Sequence, residues 1–363
     1  MTRREFLRLV FLSPFALRYA RDLWAHSFKE ALHYEGLEER KVLCKLCPRA
    51  CVLGEGQLGF CRARKNIGGR LYSLGYASPC AIHVDPIEKK PFFHVLPGTT
   101  SLSIASAGCN LRCRFCQNWQ ISQFSPLETD NIHAPPERLV SWAIKEGSRS
   151  VAYTYTEPTN FYEFMLDTSR LAKAKGLFNV AHSNGYINPG PLRELLKYMD
   201  AINIDLKAFD RAFYREICEA ELSPVLETLK TIRAQKVWLE ITNLVIPRRN
   251  DNIESIRYMC RWIVRNLGPE TPLHFSRFFP TYKMTGLPPT PVSTLERARA
   301  AAIEAGLRYV YIGNVPGHPG ESTFCPSCGR LIVKRSGYSI LSFDIRRGAC
   351  RFCGRRIEGI WEG

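Results

Sequence analysis

From Ser101 onward, apolar positions fall into two alternating rhythms. Short β-branched or aromatic runs read as strands: Ser101–Ala105, Ser150–Tyr155, Phe178–His182, Ala201–Asp205, Val237–Leu244, Leu273–Phe278 and Tyr309–Gly313. Between them, apolar residues recur at helical spacing over Pro135–Glu146, Asn160–Lys175, Pro191–Tyr198, Ser223–Ala234, Asn252–Asn266 and Thr294–Ala305. Pro135-Pro136-Glu137 and Pro191 stand at helix starts, where the first turn needs no amide donor. This alternation predicts an α/β fold with a parallel sheet, a partial TIM-like (β/α)6-7 barrel over residues 99–320. Ligands gather at the C-terminal ends of such strands. There the chain places Glu157-Pro158, Ser183-Asn184-Gly185, Asp205-Leu206-Lys207, Asn243, Arg277 and Gly313-Asn314. Each alone reads as a cap or a turn; together, at one rim, they predict a ligand-holding ring.

Outside the barrel the pattern changes. Residues 1–40 form a basic arm, 41–98 a cysteine-rich subdomain and 321–363 a separate module. Thr2-Arg3-Arg4-Glu5-Phe6-Leu7 resembles a twin-arginine export signal. Pro14, Arg18 and Arg21 interrupt the apolar run that follows, and no small-x-small cleavage site precedes His26, so an amphipathic helical arm is the expectation. No stretch reaches the eighteen or so apolar residues of a membrane span.

The chain holds fourteen cysteines in 363 residues, too long for a small secreted disulfide scaffold. Twelve fall in or near three groups, Cys80 most loosely; Cys218 and Cys260 stand alone and read as buried core thiols. Such grouping argues for metal and a reducing, cytoplasmic compartment. Cys325-Pro326-Ser327-Cys328 and Cys350-Arg351-Phe352-Cys353 pair as C-x2-C…C-x2-C, a zinc ribbon in which four thiolates close the coordination sphere. Cys44, Cys47, Cys51 and Cys61 have C-x2-C-x3-C-x9-C spacing, open to zinc or an auxiliary iron–sulfur cluster. His83, in the strand-and-loop stretch after them, reads as a structural histidine.

The third group carries the chemistry. Cys109, Cys113 and Cys116 are spaced C-x3-C-x2-C directly after the first barrel strand. Zinc knuckles come as matched pairs, so a lone triplet fits zinc poorly. Thiolates suit iron–sulfur irons, and three of them on a four-iron cluster leave one iron without a protein ligand. That open iron can chelate the amino and carboxylate groups of S-adenosylmethionine, and an electron passed through the cluster can cleave its sulfonium bond. Glu157, an acceptor-only carboxylate, suits the cofactor's ammonium; Asp205 and Lys207 suit its polar parts or those of a substrate.

These residues resemble the radical S-adenosylmethionine superfamily, specifically the AmmeMemoRadiSam system radical SAM enzymes, relatives of pyruvate formate-lyase-activating enzyme. The resemblance runs from Cys44 to Gly320. It rests on Cys44–Cys61, Asp85-Pro86-Ile87-Glu88-Lys89-Lys90-Pro91, Cys109 to Trp119 and Tyr153-Thr154-Tyr155-Thr156-Glu157-Pro158-Thr159. Asn203-Ile204-Asp205-Leu206-Lys207, His274 to Pro280 and Gly313-Asn314-Val315-Pro316-Gly317 complete it. It implies a radical SAM barrel, a [4Fe-4S] cluster on Cys109, Cys113 and Cys116, and S-adenosylmethionine as cosubstrate. It also implies that Glu157 helps hold the cofactor's amino group and that Asp205 and Lys207 serve the same site; the strand-end reading adds Asn184, Asn243 and Arg277 as cofactor-binding candidates. The relatives' Gly-Gly-Glu segment departs here, with Thr156 in place of the second glycine.

The expectation is therefore an enzyme that generates a 5'-deoxyadenosyl radical and abstracts hydrogen from an unidentified substrate. It would draw electrons from a flavodoxin- or ferredoxin-type donor and work with Memo-like and AMMECR-like partners. A glycyl-radical activase is the alternative within this chemistry. A basic zinc protein binding nucleic acid is the alternative outside it, raised by the net charge of +16 and by Arg346, Arg347, Arg351, Arg355 and Arg356; the spread of basic residues over several segments favours a solvated surface instead.

Overall fold

The computed structural model describes residues 28–362. The twin-arginine-like segment lies outside them. The main sheet has eight strands in chain order: β1 (Ala81–Pro86), β2 (Thr100–Ala105), β3 (Ser150–Tyr153), β4 (Phe178–Ser183), β5 (Ala201–Asp205), β6 (Trp238–Val245), β7 (Leu273–Arg277) and β8 (Val310–Gly313). From β2 to β8 every pairing is parallel, while β1 runs antiparallel to β2. This is the expected partial barrel, with one strand added from the segment grouped by sequence with the cysteine-rich subdomain.

Helices α1 (Pro136–Lys145), α2 (Tyr162–Ala174), α3 (Pro189–Leu195), α4 (Arg211–Cys218), α5 (Leu222–Ala234), α6 (Ile253–Leu267) and α7 (Val292–Glu304) connect the strands. Six match the periodic stretches. The short α4 escaped because its eight residues give barely two turns of pattern; Asp210 caps it by accepting from the amides of Ala212 and Phe213 at 2.6 and 3.1 Å. Alternate strand residues such as Leu102, Ile104, Val151, Ile202 and Ile241 pack outward against the helices in one large apolar core.

The barrel floor is filled by the segment after β1. Ile87, Phe92, Val95 and Leu96 insert against Ala152, Val180 and Ala201, whose small side chains leave room for them. The buried Glu240 carboxylate accepts the amides of Phe93 and His94 and meets His274 Nε2 at 2.6 Å. The C-terminal module packs on this floor: Ile332, Val333, Ile345 and Ile357 cluster with Phe93, Tyr309 and Tyr311. Arg335 reinforces the joint, donating to the Phe93 carbonyl at 2.7 Å and to Thr323 at 2.8 Å.

Candidate active site at the mouth of the barrel

The loop after β2 carries Cys109, Cys113 and Cys116 into a cavity of about 730 Å³, ample for a cofactor together with part of a substrate. Gly108, at φ +105°, starts the loop in a backbone region that glycine tolerates best. Farther on, the amides of Arg112 and Arg114 donate to the carbonyls of Cys218 and Ile217 at the end of α4 (2.9 and 3.0 Å). Cys109 Sγ accepts the Leu111 amide at 3.4 Å, and Ser122 Oγ stands 3.1 Å from Cys116 Sγ. Burial pushes the Cys109 and Cys116 thiols up, while at Cys113 a hydrogen bond with Cys218 leads and burial follows. A coordinated iron would remove such protons outright.

The donor set fits a cluster better than a single ion. Among the described residues, the C-terminal quartet is the group whose candidate ligand atoms all lie within 4.8 Å of one another. Cys109, Cys113 and Cys116 face one cavity without forming such a tight group, a layout that suits ligands to separate irons.

Around these cysteines the strand ends supply a polar rim. Glu157, buried after β3, accepts from the Thr159 amide and hydroxyl (3.0 and 2.6 Å), Ser183 Oγ (2.8 Å) and the Asn184 amide (2.7 Å). Three of these donors crowd Oε1 and only the Asn184 amide meets Oε2, so Oε2 keeps a lone-pair position for an incoming ammonium. Asn184 Nδ2 donates to Asn110 Oδ1 at 2.8 Å and lies 3.8 Å from Cys109 Sγ. Asp205 meets His182 Nε2 and Lys207 Nζ, each at 2.9 Å. Burial opposes ionisation of Asp205, yet the Lys207 and His182 charges and hydrogen bonds hold its carboxyl well below the usual range. Burial opposes the Lys207 charge too, but Asp205 and the nearby Cys113 keep its ammonium well above the ordinary value.

Two sequence-predicted rim residues are not in the rim. Asn243 donates to the Leu206 carbonyl at 2.7 Å and Arg277 to the Thr290 carbonyl at 2.8 Å, and neither lines the cavity. Successive strand residues face opposite sides, so Thr242, Leu244, His274 and Ser276 point inward instead. Position at the strand end identifies the rim but not the face. His83, read as a structural histidine, is exposed, with its ring edge-on to Tyr155.

Other contributors had weaker signals. Tyr155 adopts φ +63°, a conformation that strains a non-glycine residue, in the place where the relatives' first glycine falls. Its hydroxyl binds Asp85, and its carbonyl accepts Asn118 Nδ2 at 2.7 Å. Lys90 Nζ lies 2.5 Å from Asp85 and 4.5 Å over the Tyr155 ring. Burial pulls the Lys90 ammonium down to about 8 despite the Asp85 charge, and the residue lines the cavity. The C-terminal module also contributes: Gly337 and Tyr338, at the turn between Leu331–Ser336 and Ser339–Phe343, reach the cavity wall.

That module's four cysteines form a group able to bind metal, with Cys325 and Cys353 sulfurs 3.6 Å apart and Cys328 and Cys350 sulfurs 3.8 Å apart. In the N-terminal subdomain, Cys44, Cys47, Cys51 and Cys61 line one small cavity of their own. Among the described residues, no helix is long and apolar enough to cross a membrane.

Comparison with known proteins agrees with this geometry. The family described as the Radical SAM superfamily matches residues 103–263, spanning the cysteine loop and the strand ends from β3 to β6. An uncharacterized protein of Methanocaldococcus jannaschii is 50% identical over 332 residues, covering 91% of this chain and 99% of that one. The pyruvate formate-lyase-activating enzyme of Clostridium pasteurianum is 27% identical over 165 residues, 44% of this chain and 67% of that one. A crystal structure of Streptococcus suis SuiB bound to S-adenosylmethionine superposes with a TM-score of 0.48 at 15% identity, covering 61% of this chain and 52% of that one, a likeness too loose to carry argument. The chain is an enzyme and belongs to the radical SAM superfamily.

Proposed function

We propose that this enzyme cleaves S-adenosylmethionine reductively and abstracts hydrogen from a substrate held in the same cavity. One observation carries the reading: a single cavity brings Cys109, Cys113 and Cys116 together with Glu157, Asn184, Asp205 and Lys207. When bound by the three cysteines, a [4Fe-4S] cluster supplies an open iron and an electron, giving a 5'-deoxyadenosyl radical. The chain's part is binding and orientation. Glu157 offers buried negative charge to the cofactor's ammonium, with Thr159 and Ser183 fixing the direction of its oxygens. Asn184 holds the cysteine loop through Asn110, while the Asp205–Lys207–His182 set grips polar groups farther round the rim. Asn243 and Arg277 act indirectly, bracing the rim from outside the cavity.

The C-terminal quartet is proposed to hold zinc, since four sulfurs this close satisfy one tetrahedral ion. A flavodoxin- or ferredoxin-type donor in the cytoplasm would supply electrons, and Memo-like and AMMECR-like proteins are the proposed partners. The similarity to pyruvate formate-lyase-activating enzyme favours a glycyl-radical activase as the second reading. A nucleic-acid role is less favoured: Arg351 and Arg355 already pair with Asp344 and Glu270, and the module's turn faces the barrel cavity.

The test is anaerobic purification and reconstitution of wild type and Cys113→Ala. Wild type is expected to form 5'-deoxyadenosine from S-adenosylmethionine with a strong one-electron reductant. The variant is expected to lose that activity and keep its zinc. Undiminished 5'-deoxyadenosine in the variant would refute the assignment.

A further inference from the structure

We propose that Cys44, Cys47, Cys51 and Cys61 hold a second cluster, also [4Fe-4S], that relays single electrons to the one on Cys109, Cys113 and Cys116. The relay role rests on the function proposed above; the metal assignment stands on separate observations.

Spacing decides between zinc and cluster. Zn–S bonds of about 2.3 Å in a tetrahedron put sulfurs about 3.8 Å apart. The C-terminal quartet shows that spacing, with contacts of 3.6 and 3.8 Å. The four N-terminal cysteines share one cavity but do not gather within 4.8 Å. The Cys109–Cys113–Cys116 triplet behaves the same way, so the N-terminal set matches the iron–sulfur group rather than the zinc group of this molecule.

Unpartnered donors point to what fills the cavity. Arg64 and Asn160, each 1% exposed, line it beside the cysteines. Arg64 Nη2 donates to both Glu163 carboxylate oxygens (2.8 and 2.7 Å), but Arg64 Nε, Arg64 Nη1 and Asn160 Nδ2 are buried without hydrogen-bond partners. Buried donors left unmet cost about 1–3 kcal/mol each, so acceptors are expected within the cavity. A cluster provides inorganic sulfides as well as thiolates; a zinc ion provides thiolates alone. Such hydrogen bonds and the Arg64 charge also raise a cluster's reduction potential, helping it accept an electron.

The position suits a relay. Asn110, next in chain to Cys109, lines the second cavity, and its carbonyl accepts Arg49 Nε at 3.0 Å. Phe60, next to Cys61, is clasped by Arg49 and Arg112, whose guanidinium carbons lie 3.7 and 4.0 Å from its ring centroid. The two cysteine loops are thus in direct contact. Four thiolates leave no open iron, so this site carries electrons and does not bind the cofactor. One electron from a low-potential flavodoxin- or ferredoxin-type donor reduces the second cluster, and transfer to the first reoxidises it. No bond is made or broken at this site and no proton moves.

The experiment uses full-length chain in which Cys109, Cys113 and Cys116 are all replaced by Ala, purified anaerobically beside wild type. Iron, sulfide and zinc are counted, and dithionite-reduced samples are read by electron paramagnetic resonance. The triple variant is expected to keep about four irons and four sulfides per chain, against about eight of each in wild type. Its signal should be indifferent to S-adenosylmethionine. An iron-free triple variant carrying about two zinc ions would overturn the proposal. Equal iron in the two proteins would instead overturn the cluster on Cys109, Cys113 and Cys116. Should the triple variant not fold, Asn160→Leu in the wild-type background decides. The potential of the signal that ignores S-adenosylmethionine should fall and the other stay, and an unmoved potential would count against the second cluster.

Discussion

Gly108→Ala probes the contact between the two cysteine loops directly. Gly108 sits at φ +105°, and a Cβ there would stand 2.5 Å from the Cys61 carbonyl oxygen and 3.2 Å from Ala63 Cβ. The backbone conformation alone costs an L-residue about 1–2 kcal/mol. The oxygen belongs to main chain, so relief requires Cys61 to retreat by about 1 Å, and overpacking of this kind adds about 1–3 kcal/mol. Gly147→Ala is the reference: Gly147 has φ +66°, inside the left-handed well, and nothing within 4 Å of where an alanine Cβ would stand, so it carries a left-handed conformational cost without a clash. Anaerobic urea unfolding of both variants is therefore expected to place Gly108→Ala about 1–3 kcal/mol below Gly147→Ala. Iron content should fall in the first variant and hold in the second. Equal stabilities with full iron in both would show that the loops do not touch as described, and the adjacency needed for the relay would fall with them.

Further outcomes follow from the rim and the barrel floor. Glu157→Gln keeps the shape but loses the charge and forces one amide N–H against donors, so cofactor affinity measured by calorimetry should drop about tenfold or more while iron content holds. Asp205→Ala leaves the partly buried Lys207 ammonium without its carboxylate, which should cost about 1–3 kcal/mol in denaturant unfolding; Asp205→Asn should cost clearly less, and equal losses would contradict the pairing. His94, buried between the Glu358 carbonyl and the Tyr311 hydroxyl (2.6 Å each), is pulled down to about 4 by burial first, with nearby Arg335 adding to the effect of burial against the opposing Glu240 charge. The unfolded chain therefore binds the proton first, and stability present above about pH 6.5 should be lost as pH falls toward 4, by up to about 3 kcal/mol. His94→Gln should flatten that limb of the pH profile. Cys328→Ser should abolish the zinc binding proposed for the C-terminal quartet and change the fluorescence of Trp361, which packs on that module's apolar cluster; an unchanged zinc content would refute the four-cysteine site.

How much was legible beforehand follows from the range over which each feature is encoded. The seven parallel strands and six of the helices lie in local periodicity, because a strand or helix buries one face at a fixed residue spacing. The C-x3-C-x2-C loop and the paired C-x2-C knuckles are local too, since a metal draws its ligands from one or two tight turns. The rim was half visible: Glu157, Asn184, Asp205 and Lys207 line the cavity, whereas Asn243 and Arg277 share the strand ends but point away. A one-residue difference in parity separates the two outcomes, and composition is blind to it.

By itself the sequence determined the βα rhythm, the three cysteine groups and the polar ends of the strands, all set by neighbours within a few residues. Only the tertiary structure decided which chain-distant groups meet. Cys218 reaches Cys113 because α4 ends against the cysteine loop. Arg64 and Asn160, nearly a hundred residues apart, line one cavity and carry buried, unpartnered donors. Tyr338 reaches the barrel mouth because its module docks on the floor through Tyr309 and Tyr311. These contacts arise from burying apolar faces against one another, which brings polar side chains together at positions that no local spacing specifies.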